Sequence, residues 1–112
     1  MDYLESNQQE LETAYPYTAR DGKCQTSAAE GKVLVSQFHN VQAGSVAQLK
    51  AAIAQGPVSV TIEADKTIFQ MYSGGIFDSA SCGTNLDHAV AAVGYGSENG
   101  QDFYIVRNSW GA

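Results

Sequence analysis

Two β-strand candidates flank the dipeptide Asn99-Gly100, and together they fix most of the fold. The first runs from Leu86 to Tyr95 and the second from Phe103 to Asn108, and both are rich in apolar residues. Asn-Gly is a dipeptide that tight hairpin turns favour. We therefore predict a long antiparallel hairpin in which residues whose numbers sum to roughly 196 to 199 lie opposite one another.

A third strand and two helical segments precede this hairpin. From Val58 to Glu63 apolar and polar residues alternate strictly, which predicts a half-buried strand. A helix is predicted before it, with Ser45 as its cap and Gly56-Pro57 as its end. Its apolar residues are spaced for one face: Val46, Leu49, Ala52 and Ile53. A single helical turn is expected at Ile68 to Tyr72.

The first forty residues give weaker patterns. Met1 to Glu12 has the composition of a frayed helix end, and Pro16 would stop any helix there. Ala19 to Ser27 is expected to be a surface loop. Lys32 to Phe38 has the composition of a strand.

Composition excludes several classes of protein. With 112 residues, 44% of them hydrophobic, the chain can build the core of one domain. Twelve acidic and six basic residues give a net charge of -6, and the basic residues are not clustered, so neither nucleic acid nor an anionic membrane is an expected partner. The longest apolar stretch, Ala89 to Val93, is far shorter than the roughly 18 residues that a transmembrane helix needs. The polar residues after Met1 give no sign of a secretory signal.

The two cysteines do not form a recognisable metal motif. Cys24 and Cys82 each lack a second cysteine or histidine at zinc-ligand spacing. We therefore predict no metal site.

His88 and Asn108 are the candidate catalytic residues. The predicted register sets His88 across from the neighbourhood of Asn108, so a side-chain contact is geometrically reasonable. A neutral amide can accept a hydrogen bond from one ring nitrogen and leave the other free for proton transfer. Trp110 follows closely enough to cover this pair and shield it from water, which would strengthen the bond.

Spacing alone leaves a structural interpretation open. A histidine on a strand rich in Gly and Ala can be an ordinary core residue. Asp87 suggests a Ser-His-Asp arrangement, but neighbours on a strand face opposite sides of the sheet, so its carboxylate is not expected to orient His88. The sequence has no G-x-S-x-G nucleophile motif. His39, beside a polar turn, is expected to be a surface residue.

Two motifs near the end of the chain carry a resemblance to a known family. The segments 86–96 (LDHAVAAVGYG) and 107–111 (RNSWG) resemble the histidine and asparagine motifs of papain-like cysteine proteases, the papain and cathepsin L group. Further segments resemble the family in the same order along the chain: 15–17, 21–24, 56–60, 69–77 and 82–83. The resemblance covers nearly the whole sequence.

The resemblance implies an α+β, papain-like fold with two lobes. This chain would be most of the sheet-rich, barrel-like right lobe with a short helix, truncated at both ends. Residues 1–20 would be a residual helical-lobe or crossover segment, and residues 21–112 the sheet-rich lobe. By the same resemblance His88 is the general base and acid, Asn108 orients it, and Trp110 and Asp87 support it. The implied substrate pocket is lined on this lobe by Leu86, Ala89 and Thr61.

The nucleophile of the family is expected to lie outside this sequence. That cysteine precedes the histidine by roughly 130 residues, whereas only 87 residues precede His88. The oxyanion-hole glutamine, which accompanies the nucleophile, is absent as well. Cys24 and Cys82 instead match disulfide positions whose partners lie outside the chain.

The implied function is part of a cysteine endopeptidase that hydrolyses peptide bonds by a Cys-His-Asn mechanism, without a metal or organic cofactor. Its expected partners are peptide or protein substrates and the missing cysteine-bearing lobe of the same enzyme. The family resemblance suggests a lysosomal, vacuolar or secreted location. This chain alone is expected to be inactive. The alternative is an inert papain-like homologue or fragment that acts as a binding or structural module.

Overall fold

A computed structural model describes residues 1–27 and 30–111 of the chain. These residues form two compact units, Met1–Asn40 and a second unit that begins at Val41. The first unit contains helix α1 (Asp2–Ser6) and strands β1 (Gln9–Glu10) and β2 (Gly31–Val33). The second contains helices α2 (Val46–Ile53) and α3 (Thr67–Gln70) and strands β3 (Val58–Ile62), β4 (His88–Glu98) and β5 (Gln101–Arg107). Among the described residues, no helix is both long enough and apolar enough to cross a membrane.

The first unit is built on a small antiparallel pair, β1 with β2. The predicted helix end over Met1 to Glu12 is wrong beyond Ser6, because the chain turns there and Gln9–Glu10 pairs as a strand. The strand predicted from Lys32 to Phe38 ends at Val33. Its partner strand is only two residues long, so the ladder offers no further backbone groups to pair with Leu34, which is 62% exposed.

The second unit is a three-stranded antiparallel sheet in the order β3-β4-β5. The predicted hairpin is confirmed, with Tyr95 opposite Tyr104 and Glu98 opposite Gln101. Its turn residues Asn99 and Gly100 have φ values of 51° and 82°, the left-handed pair that suits a two-residue hairpin turn. A bulge between Ala92 and Gly94 shifts the register by one residue.

The core of this unit lies where α2 packs on β4. Ser45 caps α2 as predicted, since its hydroxyl accepts a hydrogen bond of 3.3 Å from the backbone N–H of Gln48. Ile53 of α2 and Val90 and Ala92 of β4 are buried. The predicted alternation along β3 is also confirmed, because its apolar residues are half-buried while Ser59 and Thr61 are exposed.

Candidate functional site

The sheet holds the two predicted catalytic residues at neighbouring strand ends. His88 is the first residue of β4 and pairs with Ile62, the last residue of β3. Asn108 follows directly after Arg107, which ends β5 and pairs with Ala91 of β4. The pairing of β4 with β3 and with β5 therefore sets the backbone positions of His88 and Asn108.

The predicted contact between the two side chains is confirmed. His88 Nε2 lies 2.9 Å from Asn108 Oδ1, and this amide oxygen also accepts a hydrogen bond of 2.7 Å from the backbone N–H of Ser109. Because a backbone N–H needs an acceptor, this second bond fixes which amide atom faces the ring. An amide oxygen only accepts, so Nε2 of His88 donates and its proton sits on that nitrogen. Nδ1 is then the ring atom left for proton transfer.

Trp110 packs on the imidazole as the sequence predicts. The two rings are stacked, with centroids 4.9 Å apart and an interplanar angle of 26°. The indole covers one face of His88, and 54% of Trp110 itself remains exposed. The ring of His88 is therefore held by a hydrogen bond at its edge and by an aromatic surface on its face.

A row of aromatic rings behind Trp110 was not predicted from the sequence. Phe69 packs edge-on against Trp110 at 5.9 Å and against Phe77 at 5.6 Å, and Tyr72 meets Phe77 at 6.2 Å. Such edge-to-face contacts are the favoured geometry of aromatic pairs. The sequence did carry one signal for this row, because Phe69 and Tyr72 are three residues apart in a predicted helical turn and so lie on the same side of it. The row supports the indole that covers His88.

These rings border an open cleft of about 900 Å³. Its lining also includes Ile62, Asn108 and the β5 residues Phe103 and Ile105. Leu86, Ala89 and Thr61 do not line it. The cleft is therefore a surface distinct from the substrate pocket predicted from the sequence.

The structure does bring two of the three predicted pocket residues together. Thr61 and Ala89 are direct partners in the ladder between β3 and β4, and both are exposed. Because adjacent strand residues face opposite sides, they lie on the face of the sheet opposite His88. Leu86, just before β4, is 59% exposed. Thr61 and Ala89 thus form an open, uncharged surface on this strand pair.

Asp87 lies just before β4 and its carboxylate binds backbone N–H groups, which confirms the expectation that it does not orient the imidazole. Its two carboxylate oxygens accept hydrogen bonds from the backbone N–H groups of Ala64, at 2.7 Å, and Asp65, at 3.1 Å. Its own N–H donates to the carbonyl of Ile62 at 3.1 Å. Its contacts are therefore with the segment that leaves β3, and any support to His88 acts through that backbone.

Both cysteines are free and exposed in the structure. The hydroxyl of Thr26 lies 3.4 Å from Cys24 Sγ, and hydrogen bonding from the Thr26 side chain and backbone lowers the pKa of the thiol.

His39 is exposed, as expected. Within residues 1–27 and 30–111, no group of three or more His, Cys, Asp or Glu side chains could hold a metal ion.

Comparison with known proteins gives a consistent set of relatives. The profile described as papain family cysteine protease matches residues 1–112. The probable cysteine protease RD21B of Arabidopsis thaliana is 52% identical over 103 residues, which cover 91% of this chain and 22% of that protein. Digestive cysteine proteinase 2 of Homarus americanus is 47% identical over 112 residues, covering 97% and 35% of the two chains.

A solved structure shares the fold. Digestive procathepsin L 3 from the larval midgut of Tenebrio molitor is 38% identical, with a TM-score of 0.85, over 98% of this chain and 36% of that one. This chain therefore spans between about a fifth and about a third of the length of these relatives.

Proposed function

Because this chain belongs to the papain family of cysteine proteases, we propose that it supplies the histidine and asparagine of a Cys-His-Asn endopeptidase. The observation that carries the proposal is the 2.9 Å bond from His88 Nε2 to Asn108 Oδ1. This bond leaves Nδ1 as the proton-transfer atom of a ring whose orientation is fixed. Peptide bonds of protein substrates are the proposed target.

In the proposed reaction, His88 Nδ1 takes the proton of a cysteine thiol that lies outside this chain. The thiolate attacks the peptide carbonyl, and the imidazolium then protonates the leaving amine as a thioester forms. In the second half, the same nitrogen takes a proton from the water that hydrolyses the thioester. Asn108 keeps Nε2 protonated throughout, and Trp110 limits the access of water to that hydrogen bond.

The rest of the enzyme is part of the proposal. Residues 1–20 would cross over from the cysteine-bearing lobe, and residues 21–112 would form the sheet-rich lobe. Cys24 and Cys82 would each form a disulfide with a cysteine outside this chain, which suits a lysosomal, vacuolar or secreted enzyme. Two of the relatives above are described as digestive.

The chain's two histidines offer a matched test. In an enzyme that contains this chain and its cysteine-bearing lobe, His88→Ala should lower kcat/KM by at least about a hundredfold, because it removes the general base and acid. The control is His39→Ala, since His39 is exposed and belongs to the first unit. It should leave kcat/KM unchanged.

Two results would contradict the proposal. One is peptidase activity that survives His88→Ala. The other is a coding sequence whose upstream segment has Ser or Gly in place of the nucleophilic cysteine, which would favour the inert binding module.

A further inference from the structure

Two loops meet where the ladder between β3 and β4 ends. One leaves β3 with residues Glu63 to Lys66, and the other enters β4 with residues Cys82 to Asp87. Each loop sends a carboxylate to the backbone of the other. Asp87 accepts from Ala64 and Asp65, and Glu63 accepts from the N–H of Asn85 at 2.9 Å. The two carboxylates therefore tie the loops together in both directions.

Glu63 is the more enclosed of the loop residues that carry charge. Only 4% of its side chain is exposed, although Lys66, which pairs with it, is 43% exposed. Lys66 Nζ lies 2.7 Å from Oε1, and the Asn85 N–H reaches Oε2. Both oxygens of the enclosed carboxylate are therefore engaged, as a buried charge requires.

Gly83 shows how closely the second loop is packed on this carboxylate. A Cβ atom added at Gly83 would overlap Glu63 Oε2 and Cδ. The φ of Gly83 is not in the left-handed region, so its backbone does not itself require glycine. A side chain does not fit at position 83 because the carboxylate of Glu63 occupies the space.

We propose that Glu63 is a positioning residue that holds the loop from Cys82 to Leu86 against the end of β3 and thereby sets the substrate preference of this lobe. The inference builds on the proposed function, because it concerns the pocket residues Leu86, Ala89 and Thr61. Thr61 and Ala89 are fixed by the ladder itself. Leu86 lies outside every strand, so the hydrogen bonds of its two neighbours, Asn85 and Asp87, set its position, and Glu63 accepts the first of these bonds.

The expected consequence is a change in selectivity and not only in the amount of folded enzyme. Without the carboxylate, Asn85 loses its acceptor, so the chain before Leu86 loosens and Leu86 is held from one side only, through the hydrogen bonds of Asp87. Substrates with a large apolar side chain in this pocket then lose more than substrates with a small one, since only the former need Leu86. A purely structural role would lower both rates equally.

The experiment uses the enzyme that contains this chain together with its cysteine-bearing lobe. For each variant, kcat/KM per titrated active site is measured on two peptides that differ only in Leu or Ala two places before the scissile bond. Glu63→Ala should reduce the Leu/Ala ratio by about tenfold, because the contact of one methylene group in an apolar pocket discriminates between substrates by at least about this factor. Glu63→Gln, which keeps an oxygen for the Asn85 N–H, should retain part of the ratio and serves if the alanine variant does not fold. Glu98→Gln, at an exposed hairpin position, is the control.

Gly83→Ala approaches the same contact from the other side. Its methyl group would displace the Glu63 carboxylate, so it should lower the ratio in the wild-type background. In the Glu63→Ala background the methyl group has room, and the second substitution should add little. Hydrogen exchange of peptides that cover residues 82–86 should be faster in both single variants than in Glu98→Gln.

The outcomes separate this inference from the proposed function. An unchanged Leu/Ala ratio and unchanged exchange in the Glu63 variants, in an enzyme that His88→Ala inactivates, would overturn the inference alone. Additive effects of Glu63→Ala and Gly83→Ala would also count against it. Activity that survives His88→Ala would overturn the proposed function instead.

Discussion

His88 Nε2 and Asn108 Oδ1 lie 2.9 Å apart, although the two residues are twenty positions apart in the chain. The hairpin makes this contact possible, since both residues lie just beyond the last pair of the β4–β5 ladder, Ala91 with Arg107. The Ser109 N–H adds a second bond to the same oxygen and so fixes the amide. The orientation of the imidazole therefore follows from backbone geometry on both sides of the contact.

Asn108→Ala is expected to weaken the enzyme without abolishing it. The imidazole keeps its stacking on Trp110 but loses the acceptor that fixes Nε2–H, so kcat/KM should fall by about a hundredfold. The measurement is peptide hydrolysis by the enzyme that contains both lobes. Asn40→Ala, at an exposed position, is the matched control, and equal activity of the two variants would refute an orienting role for Asn108.

The sequence predicted the second unit well because its signals are local. Asn99-Gly100 sets the hairpin turn, and the observed pairs sum to 198 or 199, as with Ala91 and Arg107 or Tyr95 and Tyr104. The bulge before Gly94 accounts for the change from one sum to the other. The position of a bulge depends on how the sheet packs, and no residue pattern in the strand predicted it.

Other features could not be predicted because they depend on partners far along the chain. The length of β2 is set by β1, which is only two residues long. The contact of Trp110 with Phe69, which in turn packs on Phe77, joins the segment after β5 to α3 and the loop that follows α3. The burial of Glu63 against Gly83 likewise has no signal in either local sequence.

The isolated chain of 112 residues should show no peptidase activity. His88 has no nucleophile to activate, since Cys24 and Cys82 both match disulfide positions of the family. The measurement is turnover of an unstructured protein and of small peptide amides by the purified chain. Turnover that persists through further purification and disappears with His88→Ala would mean that the nucleophile is on this chain after all.

Cys24 and Cys82 should not form a disulfide with one another. Both are free and exposed in the structure, and the family resemblance pairs each with a cysteine outside the chain. Mass spectrometry of the folded, non-reduced enzyme should find each of them linked to a different peptide. A bridge between residues 24 and 82 would contradict the proposed disulfide arrangement.

Glu63 should contribute to stability above the acidic range and lose this contribution as pH falls. The hydrogen bond from Lys66, followed by the one from the Asn85 N–H, lowers the pKa of Glu63 from its ordinary value of 4.5, while burial and the charge of Asp87 oppose that shift. A carboxyl group whose pKa is lower in the folded state stabilises the protein above its unfolded pKa and ceases to do so as it is protonated.

The pH dependence is tested with enzyme whose active-site cysteine has been chemically blocked, so that it cannot digest itself during the measurement. The Tm of the wild type should exceed that of Glu63→Gln near neutral pH, and the difference should shrink as pH falls below 4.5. Glu98→Gln controls for the loss of one negative charge. A Tm difference between wild type and Glu63→Gln that stays constant from neutral to strongly acidic pH would contradict the ion pair with Lys66.

The enzyme should prefer a bulky apolar residue two places before the scissile bond. The residues that this chain is proposed to contribute to that pocket, Leu86, Ala89 and Thr61, carry no charge, so a Leu or Phe side chain gains about 1.5 to 3 kcal/mol from apolar burial. The charged group of an Arg or Glu would have to be desolvated in the same pocket, which costs free energy. Rates on a peptide series varied only at this position provide the measurement. Faster cleavage of peptides with Arg or Lys at this position than of those with Leu or Phe would show that a residue at the pocket floor, outside this chain, controls the choice.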